Sequence, residues 1–299
     1  MKQTKMRKNP TILLLNLALV ACLMPAIVCA ADIPVETLYA YDKHLPMNLK
    51  VEKADETAEY VKYHISLRST HERTVTAFLA LPKNAQPPYP ILMLQHGINA
   101  SKDEIFERYG NGLIKAGYAI FLMDGELHGE RRSDVSDEII RYPILLRDVF
   151  IQTVIDLRRA VDYLKTRDDL DTTRLTFVGF SLGSYEGTVF TSIDKRIKAV
   201  ILVVCGSFEP TFAPLKMLPE YRELSVILDP ARYIKKIAPR PLLMVNATQD
   251  AVIPKEGARK LFEVAEEPKE QIFVDEGHVI SQEALVPIIV KWLDEISRK

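Results

Sequence analysis

The chain has 299 residues, of which 47% are hydrophobic and 26% charged, and its formal net charge is −1. That profile belongs to a globular protein with a sizeable core, and it gives no electrostatic case for nucleic acid. No solenoid repeat and no low-complexity tract interrupts it, and one α/β domain can use the length that remains once an export signal is set aside.

The N-terminus predicts a signal peptide over residues 1–30. A basic stretch (Lys2, Lys5, Arg7, Lys8) precedes an apolar run from Thr11 to Met24, then Pro25, then Val28-Cys29-Ala30 before Ala31. Small residues at Val28 and Ala30 suit a signal peptidase. Two alternatives stay open: an uncleaved anchor, since Thr11 to Ala30 is almost wholly apolar, and a lipoprotein, since Leu19-Val20-Ala21-Cys22 is similar to a lipobox. Each reading places residues 31–299 outside the cytosol, periplasmic or secreted. No stable membrane partner is expected unless the N-terminus is lipidated or uncleaved. Cleavage after Ala30 leaves Cys205 as the lone cysteine, so neither an internal disulfide nor a cysteine pair for zinc is expected.

The runs Tyr60 to Leu67 and Val75 to Leu81 alternate partly in polarity around a polar turn at Ser69–Arg73, which predicts an N-terminal β-hairpin. Beyond Pro87-Pro88-Tyr89-Pro90 the pattern changes to short apolar runs: Ile91–Leu94, Tyr118–Met123, Leu175–Phe180, Ala199–Val204, Leu242–Val245 and Gln271–Val274. Continuous apolar strands of this length suit a parallel sheet buried on both faces. Helices are predicted at Ser101–Ala116, Ile144–Thr166, Leu182–Ser192, Pro254–Ala265 and Gln282–Ser297. The second carries an apolar stripe through Val149, Val154, Leu157, Val161 and Leu164. Alternation of strand and helix means crossover connections, hence an α/β, doubly wound, mostly parallel sheet. Residues 206–240 stand apart. Phe208, Phe212, Leu215, Met217, Leu218, Tyr221 and Tyr233, with Pro210, Pro214 and Pro219 between them, are too bulky for a solvated loop and cannot form one helix. They predict a small cap insertion roofing a site.

The chemistry centres on Gly179-Phe180-Ser181-Leu182-Gly183. A strand runs into this G-x-S-x-G and a helix rich in small residues leaves it, which is the context of a nucleophile elbow with Ser181 at its apex. A serine hydroxyl needs a base. Five histidines (His44, His64, His71, His96, His128) precede Ser181 and only His278 follows it. Where an elbow serine, an acid and a histidine occur in that order, His278 has no competitor. Asp250, after the run Leu242–Val245, is the expected orienting acid; Glu209, Asp275 and Glu276 are the rivals, and an N-cap role is the alternative for Asp250. The oxyanion donors are expected to be the backbone N–H groups of Leu182 and Ile98, with His96 a structural residue beneath the site. The cluster Asp124 to Arg132 reads as loop-fixing ion pairs, and neither a metal nor a cofactor is expected there.

These residues resemble the α/β-hydrolase superfamily, in the branch of dienelactone-hydrolase-like esterases, acetyl xylan esterases and prolyl-oligopeptidase-type catalytic domains. The resemblance rests on His96-Gly97, Asp124 with His128-Gly129, Arg158 to Leu164, Gly179 to Gly183, Asp250 and Gly277-His278. It implies a serine esterase working through an acyl-serine intermediate on a small-molecule or saccharide ester. Acetyl xylan esterases of this branch often carry Tyr where this chain has Ile98. Peptidases of the branch add a β-propeller, for which the stretch ahead of Ile91 is too short. An amidase or peptidase with the same three residues, and an inactive fold used for binding, are the other function classes. The prolines and aromatics of residues 206–240 predict a short acyl pocket, favouring acetyl to butyryl groups.

Overall fold

Nine strands form one sheet in the order β1-β2-β3-β5-β4-β6-β7-β8-β9 in the computed structural model, which describes residues 34–211 and 220–298. The expected signal, including Cys22 and Cys29, lies outside the described residues, as do Phe212, Leu215, Met217 and Leu218 of the expected cap. Residues 38–299 form one compact unit. Among the described residues no helix is long and apolar enough to cross a membrane.

The strands are β1 (Lys50–Glu56), β2 (Tyr60–Arg68), β3 (Thr74–Pro82), β4 (Tyr89–Gln95), β5 (Ala119–Met123), β6 (Leu170–Phe180), β7 (Ala199–Val203), β8 (Leu242–Ala247) and β9 (Lys269–Val274). β2 and β3 are the expected hairpin, in antiparallel register from Tyr60↔Pro82 to Arg68↔Thr74. The pairings from β5 through β4, β6, β7 and β8 to β9 are all parallel. Their apolar runs are continuous for the expected reason: β5 and β7 are buried at every position. β1 has no such signal, since Lys-Val-Glu-Lys-Ala-Asp-Glu is exposed throughout; charges of this kind on an edge strand disfavour pairing with other chains.

Helices cover both faces. α1 (Lys102–Ile105), a π turn (Phe106–Gly110) and α2 (Asn111–Lys115) replace the single helix expected at Ser101–Ala116, and this layer packs on α8 (Gln282–Ser297). The opposite layer holds α3 (Pro143–Leu164) and α4 (Leu182–Ile193), packed together. All five residues of the predicted α3 stripe are buried. Between β7 and β8 lie α5 (Phe208–Thr211), α6 (Tyr221–Leu228) and two 3₁₀ turns; α7 (Lys255–Val264) joins β8 to β9.

Chain direction decides where function sits. From β4 the chain moves outward to β5, then returns past β4 to β6. The loops after β4 and β6 therefore diverge at a switch point, which opens a crevice at the carboxyl ends of the strands.

Candidate active site

Ser181 stands at the end of β6 and caps α4 with φ 51° and ψ −118°. A left-handed conformation at a non-glycine residue is strained and persists only where the surroundings enforce it. Here the enforcement is steric. A Cβ on Gly179 would lie 2.4 Å from the carbonyl oxygen of Gly183, and one on Gly183 would lie 2.4 Å from that of Gln95. Only glycines let strand, turn and helix pack this closely. The Ser181 side chain makes no cap bond to α4, so its hydroxyl is left for another partner.

That partner is His278. Its Nε2 lies 3.0 Å from Ser181 Oγ, and its Nδ1 lies 2.9 and 3.0 Å from the two carboxylate oxygens of Asp250. The three side chains come from loops after β6, β8 and β9, and they meet in one hydrogen-bonded chain. The Asp250 side chain is 1% exposed and that of His278 is 25% exposed, so the acid is enclosed while the imidazole faces the crevice. Burial alone would raise the Asp250 carboxyl; hydrogen bonds from His278 and from the N–H groups of Ile253 and Val252 outweigh it and hold the group below the usual carboxylate range. Asp250 does not cap the helix that follows: α7 begins at Lys255 with Pro254 at its N-cap position and no side-chain cap, and the two backbone bonds to Asp250 come from residues ahead of it. Of the rival acids, Asp275 accepts from Thr248 Oγ1 and Gln249, and Glu276 from the N–H and hydroxyl of Ser281.

The loop after β4 runs across the elbow: a Cβ on Gly97 would sit 3.1 Å from Ser181 Cβ. His96 lies beneath it, buried, its Nδ1 2.7 Å from the Gly97 carbonyl while Nε2 accepts from the Gly125 N–H. Burial first, then the neighbouring His128, pushes His96 down to about 4, so it is a neutral tie between the loops after β4 and β5. His128 Nε2 lies 2.7 Å from the carbonyl oxygen of Ile98 and holds the Ile98–Asn99 peptide; the peptide that carries the Ile98 N–H is held at its own carbonyl, that of Gly97, by His96 Nδ1. The N–H of Leu182 occupies the first turn of α4, where helix N–H groups have no internal partner.

A cavity of about 220 Å³ holds the Ser181 hydroxyl and the His278 ring. Ile98, Ile105, Tyr109, Phe180, Val204 and Val279 supply its apolar wall. Sequence reasoning missed Ile105, at the end of α1, and Arg108 and Tyr109, because the π turn that places the latter two leaves no periodic signature. Tyr109 stacks on Phe180 with ring centres 4.9 Å apart and donates its hydroxyl to the Ile280 carbonyl at 2.6 Å. It thereby ties the histidine loop to the elbow strand. None of the described residues of 206–240 lines this cavity; Phe208 and Tyr233 are buried, and α5 and α6 pack on α7 and α3. A second cavity, of about 490 Å³, shares Ile98, Asn99, Ala100 and Glu104 with the first and extends towards Arg132 and Ile140.

The model of the acetyl xylan esterase (AXE1) family matches residues 36–224. The chain belongs to the acetyl xylan esterase family. As a member of that family it is a carboxylic-ester hydrolase, and its sheet is that of the α/β hydrolases. The matched stretch ends ahead of Asp250 and His278, so those two stand on geometry. A Bacillus subtilis protein named as a hydrolase, YtaP, is 23% identical over 235 residues, covering 72% of this chain and 79% of its own. Acetyl xylan esterase 1 from Thermoanaerobacterium sp. JW/SL YS485 superposes with a TM-score of 0.69 at 14% identity, over 88% of this chain and 92% of that one. A cold-adapted esterase from an Arctic intertidal metagenomic library gives 0.64 at 20% identity, over 81% and 96%. Both likenesses speak to the fold.

Proposed function

We propose that this esterase cleaves short-chain carboxylic esters through an acyl-serine intermediate, with Ser181 as nucleophile, His278 as base and Asp250 as orienting acid. The observation that carries the reading is the continuous chain from Ser181 Oγ through the imidazole to a buried, ionised carboxylate. Ser181 Oγ attacks the ester carbonyl carbon as its proton passes to His278 Nε2. Asp250 holds Nδ1–H, fixes the tautomer and stabilises the imidazolium. The Leu182 and Ile98 N–H groups receive the oxyanion, the first at the positive end of α4 and the second on a peptide whose Gly97 carbonyl is tied to His96. The alcohol leaves with the proton from Nε2. Water then attacks the acyl-enzyme by the same relay and releases the acid.

Short acyl groups follow from the cavity. Its apolar wall favours each buried methylene by about 0.8 kcal/mol, but about 220 Å³ fills early. The neighbours named as acetyl xylan esterases support acetyl esters of saccharides as the natural class. A p-nitrophenyl ester series tests this: kcat/KM should peak between acetyl and butyryl and fall by octanoyl. A steady rise through dodecanoyl would rule the reading out. Fluorophosphonate labelling tests the nucleophile, since wild type should react and Ser181→Ala should not. Export belongs to the same reading, and the mass of the processed protein checks it against cleavage after Ala30 and lipidation at Cys22.

A further inference from the structure

The small cavity around Ser181 has an apolar wall with one cation on it. Arg108 lies within the π turn, exposed, and lines the same cavity as Ser181 and His278. The guanidinium of Arg131 reaches Asp156 at 2.7 Å, and that of Arg196 is held by Asp162 and Asp194. Arg108 differs: among the described residues no carboxylate lies within ion-pairing distance of it, and it stands beside the phenol of Tyr109, whose surroundings also feel the charge of Glu276. The acid one helical turn back, Glu104, also faces the cavity, but its carboxylate is committed to the Ser101 N–H at 2.8 Å as part of a capping box. Asn99 adds an amide to the same rim.

A guanidinium is a planar fork that matches a carboxylate. On the wall of a cleft where one side is apolar, such a pair is stronger than in open water. A neutral acyl group gains nothing from it. We propose that Arg108 is a specificity-determining residue that receives the carboxylate of an anionic ester, so that substrates bearing a second, ionised acid group are preferred over neutral isosteres. The inference rests on Ser181 being the nucleophile; the bond cleaved is still the ester, with water supplying the hydroxyl of the released acid.

Two substrate pairs, each followed by acid release from the full-length protein, test it and locate the carboxylate. Monomethyl succinate against methyl isohexanoate places the charge on the acyl side. p-Acetoxybenzoate against p-acetoxybenzamide places it on the alcohol side. In one of the pairs wild type should prefer the charged member by about tenfold in kcat/KM, mainly through KM, and added salt should shrink the ratio. Arg108→Gln should bring that ratio near one, while Arg108→Lys, which keeps charge without the fork, should retain part of it. No preference in either pair, or a preference that survives Arg108→Gln, overturns the assignment. A different failure, turnover of both members surviving Ser181→Ala, would instead count against the nucleophile.

Discussion

Two loops at the carboxyl edge of the sheet use the same backbone device and end in opposite states. The turn after β6 holds Ser181 at φ 51°, and the loop after β5 holds Leu127 at φ 61° and Gly129 at φ 50°. Both are packed past the point where a side chain fits: a Cβ on Gly129 would lie 2.0 Å from Asp124 Oδ1. In the elbow the strain presents a hydroxyl to a cavity. In the other loop it encloses a carboxylate: Asp124 is fully buried, accepts from the Lys102 and Glu130 N–H groups and Thr76 Oγ1, and pairs with Lys102 Nζ at 2.9 Å. Burial would raise the Asp124 carboxyl, yet those bonds hold it below its ordinary range. Arg131 extends the same loop to Glu126 and Asp156. In the first loop the strain leaves one reactive group open to a cavity; in the second it closes around a satisfied, buried charge.

The largest expected effect tests the first half of that contrast. Ser181→Ala should lower kcat/KM by roughly 10⁴-fold or more, with stability changed by less than about 1 kcal/mol, because the hydroxyl packs little. His278→Ala should cost about as much, since the members of such a chain act as a unit. Steady-state kinetics beside thermal melts would show it, and a comparable loss at His128 instead would move the base to the wrong loop. The second half predicts the reverse profile. Asp124→Ala leaves Lys102 and three donors without their shared acceptor, and should cost about 3–5 kcal/mol of stability by denaturant unfolding. If that variant unfolds like wild type, the loop after β5 is not the structural partner it is taken to be here.

How far these loops could be read from the sequence differs for physical reasons. The parallel strands were legible because burial on both faces leaves unbroken apolar runs, and β1 was not, because an exposed edge strand carries no apolar face. Ser181, Asp250 and His278 are each one side chain following a strand, and their order along the chain singles them out. Arg108 and Tyr109 depend on one extra residue in a helical turn and on stacking against Phe180 from a distant strand. No local pattern records either. The bulk of residues 206–240 was legible as burial, but not which surface it would cover, because aromatic composition does not encode direction.

The smallest effect concerns a group lying between the two loops. Glu186 is buried on α4, one turn past the elbow, beside Gln95 from the end of β4 and near Asp156 and Arg131. Burial pushes its carboxyl well above the ordinary value; Gln95 and Arg131 pull it back in part, and Asp156 pushes it up again. The folded protein therefore keeps this proton over a pH range in which the unfolded chain has lost it. Its contribution to stability is complete below the ordinary carboxyl value and is lost as pH rises through the raised one. Glu186→Gln keeps the shape and cannot ionise. Relative to wild type, its Tm should be near parity at about pH 4 and should gain roughly a few degrees by about pH 9. A gap that stays constant, or that narrows as pH rises, would mean that Glu186 is already ionised in the fold. The enclosed side of the comparison would then hold one more unpaired charge than a buried site tolerates.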